Sequence, residues 1–413
     1  MPIRPILSAL LRSKTGAILV ALQVAISLAI LANALHIVNQ RIAVAARPSG
    51  MADEASLLYL NVHHLVKGSH EQQLARQQAE TAALRAVGGA TSVAWINQMP
   101  MSWSGSTTGI SIERTQNGPS ANVAFYVTPD SLPATLGLKV VEGRDFNPGD
   151  VPIINADTAG KDVMPPTVII TRALARKLWP DAASVVGKTL YFGFGPAANP
   201  CRVIGVVDML QSHSADIDPR GYLSVISPAR ITFAFDANYV LRAEPGQRER
   251  VMKEAEQALR RSSATPVIIK ARTVQQDRAE RYRADIALAW MLATVSLLLL
   301  LVTASGIVGM ASLWVTQRRK QIGVRRALGA RKRDILAYFI AENAMITTLG
   351  VAVGVLLALG LSDQLVARLH MERLSLGYLA TGAVVFWVLG ALAALGPAWR
   401  AAAIPPAVAT RSI

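Results

Sequence analysis

Residues able to do chemistry occur here in few combinations. Gly187-Lys188-Thr189, in the run AASVVGKT at 182–189, comes nearest to a phosphate-binding loop. That loop needs a first glycine so that its backbone amides can cradle the phosphates, and Ala182 holds the place. The match is read as chance. No serine is framed as GxSxG, and His213, in the polar run Gln211–Asp218, reads as an exposed loop histidine. His63 and His64 are adjacent, but the six histidines form neither HExxH nor a pattern with paired cysteines. A metal site is not expected. The single cysteine, Cys201, excludes an intrachain disulfide. These patterns describe a chain that is not an enzyme and has no cofactor of its own.

Two other groups carry more information. Glu342 and Asn343 lie about two turns into a long apolar run, and a carboxylate at membrane depth is functional by default. Its expected role is structural or coupling, through a partner on the preceding basic loop or helix. That loop, QRRKQIGVRRALGARKR at 317–333, holds eight basic residues and no acidic one. Ile322, Val324, Ala327 and Leu328 are interleaved with the arginines, and Gly329 stands where a helix would end. The stretch reads as a short cytoplasmic helix with one face on its own membrane helices and the other offered to a partner.

The elements that position these groups follow from hydropathy. Hydrophobic residues make up 52% of the chain and charged residues 17%, with a mean hydropathy of +0.33. That balance indicates a polytopic membrane protein with a sizeable soluble part. Most of the net charge of +15 lies beside apolar runs, so it is read as a topology signal and a site for membrane lipid, with no nucleic-acid binding. The expected fold is a membrane protein, α-helical with four transmembrane helices, plus a large α+β extracytoplasmic domain inserted between helices 1 and 2. The boundaries read as a cytoplasmic tail 1–16, an uncleaved first span 17–38, and the external domain 39–284. A second span with an outward stalk follows at 285–315, then the basic helix 316–334, a third span 335–362, a short external loop 363–376, a fourth span 377–399 and a cytoplasmic tail 400–413. Gln23 and Asn33 in the first span are expected to face other helices. So are the glycines of the last two spans, among them Gly350, Gly354, Gly360, Gly382, Gly390 and Gly396. In the external domain, strand–helix–strand patterns near both ends flank a β-rich insert, which suggests a discontinuous lobe (about 39–98 and 227–284) and an inserted lobe (about 99–226).

The order of these segments, with the loop QRRKQIGVRRALGARKRDIL, resembles the permease subunits of the MacB/FtsX-like class of ABC transporters. GLKVVEGRDFNPGD at 137–150, VIITRALARKLWPDAASVVGKTL at 168–190 and PAWRAAAIPPAVATR at 397–411 are similar to further family stretches. The resemblance implies a non-catalytic permease subunit of the bacterial inner membrane with both termini cytoplasmic. Its partners would be a cytoplasmic ABC ATPase that binds ATP and Mg, and a second permease subunit as homo- or heterodimer. A periplasmic adaptor and outer-membrane channel complete some such assemblies. Ile322, Gly323, Arg325, Arg326, Leu328 and Gly329 would dock the ATPase, with Glu342, Gln317 and Gln321 in support. The family commonly places acidic residues where this chain has Gln317 and Gln321. Lipoprotein release, with Trp95, Trp103, Phe125 and Tyr126 near an apolar cleft, and FtsX-like control of an envelope hydrolase or sensor are the alternatives on the same fold.

Overall fold

The computed structural model describes residues 14–102, 104–155, 164–196, 198–215, 219–369 and 373–403. Trp103 and the end of the 397–411 stretch lie outside them. The chain divides into two units, residues 1–45 with 285–413, and residues 46–284.

The first unit is helical. Helix α1 (Lys14–Ala45) continues past the expected end at Val38, because Asn39–Ala45 contains no breaker and the chain first turns near Pro48 and Gly50. Residues 39–45 therefore group with the helices. The other long helices of this unit are α6 (Val274–Gln317, from Asp285 onward), α8 (Lys332–Leu369) and α9 (Leu376–Ala402), with the short α7 (Arg319–Ala327) between α6 and α8. All four long helices are long and apolar enough to cross a membrane. Helix α8 runs seven residues into the expected external loop, since Asp363–Leu369 holds no glycine or proline and Gln364, Leu365, Ala367, Arg368 and Leu369 are good helix formers. The basic stretch is one short helix between two turns, not a helix over all of 316–334.

Packing in this unit rests on close approach and a few polar contacts. A Cβ at Gly350 would stand 2.7 Å from the Ala21 carbonyl, and one at Gly354 would stand 2.9 Å from that of Ala25. Small residues let α1 and α8 meet backbone to backbone, with Val24 and Leu28 fully buried. Gly382 meets Leu28, and Gly390 meets Thr347 and Asn343. Gly360 and Gly396 have open space before them, so the expected packing role does not hold within this chain at those two positions. Gln23 donates to the Val302 carbonyl (3.1 Å), Ser27 bonds Thr303 (2.9 Å), and Asn33 donates to the Ala358 carbonyl (3.1 Å). Each of these amides thus finds a partner on another helix, as apolar surroundings require.

Among its described residues the second unit contains a four-stranded sheet, a seven-stranded sheet and one two-stranded pair. Strands β1 (Leu57–His64) and β2 (Ala90–Trp95), separated by α2 (His70–Arg85), join β12 (Asp236–Ala243) and β13 (Val267–Thr273), separated by α5 (Arg248–Ser262). Their order is β13-β1-β12-β2, two interleaved strand–helix–strand units in the ferredoxin-like manner. Ser69 caps α2 with a reciprocal capping box through Gln72. The insert between β2 and β12 builds a seven-stranded sheet from β3 (Thr107–Ser111), β4 (Ala121–Thr128), β5 (Val140–Gly143), β7 (Thr167–Thr171), β8 (Thr189–Phe192), β9 (Asn199–Val207) and β10 (Ser224–Pro228). β6 (Ile153–Ile154) pairs with β11 (Arg230–Ile231), while α3 (Leu132–Leu136) and α4 (Arg172–Leu178) complete the insert. Because β8 pairs with both β3 and β9, the sheet curls closed and leaves β5 as its outer strand.

Candidate coupling site

Helix α7 is short, and its position is set from three sides. On its inner face Ile322 is 4% exposed and packs with Ile335 and Phe339 of α8 and with Ala398, Ala401 and Ala402 of α9. At its start, Arg318 Nη1 donates to both oxygens of Glu342, at 2.8 and 2.7 Å. Glu342 is 1% exposed, so this ion pair ties the end of α6 to the third turn of α8. At its end the chain makes a Schellman turn: Gly329 N–H donates to the Arg326 carbonyl and Ala330 N–H to that of Arg325. Gly329 takes φ +96°, where a side chain would be strained. The Asp334 carboxylate accepts from the Arg331 N–H (2.9 Å) and opens α8.

The sequence-derived docking residues separate by face. Arg325, Leu328 and Gly329 are exposed, Leu328 at 83%. Ile322 and Gly323 are buried, Ile322 against α8 and α9, so these two lie off the exposed face of α7. Arg326 is half-buried and donates to the Ala330 carbonyl (3.3 Å). The Arg325 guanidinium lies 5.0 Å over the Tyr338 ring, which stiffens it while leaving it accessible. Gln317 and Gln321 are exposed. The sequence reading missed Val324, which shares the outward face of Gln321 and Leu328 at helical spacing and is 51% exposed. Its signal was present: an apolar residue one turn from Leu328.

A second set of contacts sits on the first turns of α6, which belong to the other unit. Arg278 pairs with Glu54 at 2.7 and 2.9 Å. Arg281 donates to the Ser214 carbonyl (2.8 Å), and the Tyr282 hydroxyl accepts from Gln211 (3.0 Å). His213 lies in this same segment and is 8% exposed, so the expectation of an exposed histidine is wrong. The polar run packs inward because Tyr126, Arg281 and Tyr282 satisfy its backbone and amide groups. Sequence could not pair residues this distant.

The remaining chemical candidates have structural roles. Gly187-Lys188-Thr189 enters a strand, with Thr189 opposite Arg202, and Lys188 lies 5.6 Å over the Trp179 ring. A phosphate loop opens a helix, so this is a sheet turn. Burial in β9 pushes the Cys201 thiol up to about 12. His64 pairs with buried Glu80 (3.3 Å), which accepts from the Tyr239 hydroxyl (2.7 Å). Trp95 and Tyr126 are core residues at 1% and 0% exposure.

The helical end of the chain, residues 293–406, matches the model of the FtsX-like permease C-terminal domain. Residues 18–258, more than half of the chain, match that of the MacB-like periplasmic core domain. The chain belongs to the MacB/FtsX-like permease family. It is a membrane protein with an extracytoplasmic domain. The macrolide export ATP-binding/permease protein MacB of Agrobacterium fabrum is 28% identical over 62% of this chain and 38% of its own length. The pyoverdine export ATP-binding/permease protein PvdT of Pseudomonas syringae pv. tomato is 26% identical over 72% of this chain and 45% of its own. The chain thus spans less than half the length of these relatives. A solved heavy-metal efflux pump aligns over 85% of this chain at 11% identity, but its TM-score of 0.18 is too low for a shared fold.

Proposed function

We propose that this chain is the permease subunit of an exporter driven by a separate ABC ATPase, which supplies the ATP and Mg site. The ATPase docks on the outward face of α7, where Arg325 and Leu328 stand beside Val324 and Gln321. The carrying observation is the anchoring of α7 by the Arg318–Glu342 pair and the Ile322 cluster. A helix held on one face and bare on the other transmits a push without deforming. Helix α6 runs without a break from Val274 to Gln317, ~66 Å at the usual rise, and begins at the Arg278–Glu54 and Tyr282–Gln211 contacts. It is the element that carries movement to the periplasmic domain. Two such chains, with the basic end of the spans in the cytoplasm of a bacterial inner membrane, complete the unit; an adaptor and outer-membrane channel belong to the export form of this reading. Gln317 and Gln321 fit an ATPase groove more acidic than is usual for the family.

The test is a pull-down of the ATPase with membranes carrying Arg325→Glu together with Leu328→Asp, insertion being checked by fractionation. Binding should be lost. Unchanged binding by the inserted variant refutes the assignment, whereas loss in an Arg319→Gln control of equal strength reduces it to diffuse charge.

A further inference from the structure

The end of the α8–α9 hairpin beside α7 holds a groove of about 290 Å³ lined by Lys332, Arg333, Leu336, Trp399, Ala402 and Ala403. The lining combines two classes of group in a fixed order. Lys332 and Arg333 are exposed at the first residues of α8, and among the described residues no acidic one lines the groove. Trp399 is 72% exposed on the last turns of α9, with Leu336 and Ala402 forming the apolar floor. Both helices are apolar enough to span a membrane, and here both change from apolar to charged. Tryptophan at that level is at home in the headgroup region, and lysine or arginine beside it attracts anionic lipid.

We infer that this groove binds one anionic phospholipid, its phosphate between Lys332 and Arg333 and the upper part of an acyl chain along Trp399 and Leu336. Charge selects this occupant. The segment following Ala403, IPPAVATRSI, contains no aspartate or glutamate and adds a further cation in Arg411, so it does not complement the groove. A zwitterionic lipid would bring its own cation against the two already present. The inference requires only that α8 and α9 span the membrane and is independent of any ATPase.

The test uses the full chain in nanodiscs, with brominated phosphatidylglycerol or brominated phosphatidylcholine as quencher. The Trp399 signal is isolated as the difference between the wild type and Trp399→Phe. Quenching of Trp399 should be several-fold stronger with the anionic lipid. Neutralising each cation in Lys332→Gln and Arg333→Gln should weaken that preference by about fivefold, the factor expected for a basic residue at the membrane surface. Lys320→Gln, on α7, should leave it intact. Equal quenching by the two lipids overturns the proposal. So does an equal loss in Lys320→Gln, which would mean diffuse attraction, or an anionic preference that appears only after removal of residues 404–413, which would mean that the tail is the natural occupant.

Discussion

Removing the carboxylate of Glu342 tests whether α7 is held by its ion pair. Glu342 is 1% exposed, and the Arg318 side chain is 16% exposed. Deleting one member of a buried pair costs ~3–5 kcal/mol, because the other charge is left without compensation. Arg318 lies at the end of a span and can reach toward water, which places Glu342→Ala at the lower end, about 3 kcal/mol. Glu342→Gln keeps the volume and one acceptor oxygen, so about 1–2 kcal/mol is expected. Replacing both residues, Arg318→Met with Glu342→Leu, removes both desolvation penalties and should come near neutral. Reversible unfolding in mixed micelles measures the three variants, and the expected order is Ala worst, Gln intermediate and the double variant best. ATPase pull-down with Glu342→Ala should also weaken, although every outward residue of α7 is intact. This anchoring is refuted if Glu342→Ala stays within about 0.5 kcal/mol of the wild type, the range of ordinary surface changes, or if the double variant loses as much as Glu342→Ala.

Overpacking should distinguish the glycines of α8. Gly350→Ala places a methyl 2.7 Å from the Ala21 carbonyl and should cost ~1–3 kcal/mol, whereas Gly360→Ala meets nothing and should be neutral or gain up to ~1 kcal/mol in helix propensity, both read by thermal unfolding. The Cys201 thiol, buried and pushed up to about 12, should resist iodoacetamide in the folded chain at pH 8 and react fully in denaturant; rapid labelling of the native protein would contradict its burial. Glu142 is held below the usual carboxylate range by the Ser184 hydroxyl, with the Val185 and Val186 amides adding to it. A carboxylate lowered by folding contributes stability above its unfolded value and loses it as pH falls through the folded one. Amide exchange at 184–186 should therefore be faster in Glu142→Gln than in the wild type at pH 7, and the gap should close below about pH 4.

Much of the fold was legible because its signals are local. Apolar runs longer than a bilayer core marked the four long helices, and Ser69, a capping residue type, is a local signal for the start of α2. Helix α4 likewise stops where Trp179-Pro180 ends the run, a local signal. The central strand β10 was not seen. SVISP has no alternation to read, since all five residues are buried between β4 and β7.

At the coupling site the division is sharper. Sequence alone determined that a basic segment lies between two apolar ones, that Gly329 ends its helix and that Glu342 needs a cation. Each of these depends on residue type within one or two turns. Only the tertiary structure decided that the cation is Arg318, that Ile322 and Gly323 face inward while Val324 and Leu328 face outward, and that the run at 211–215 is buried beneath Tyr282. A short helix has an apolar side in any orientation, and which side is covered depends on α8 and α9 arriving from elsewhere in the chain.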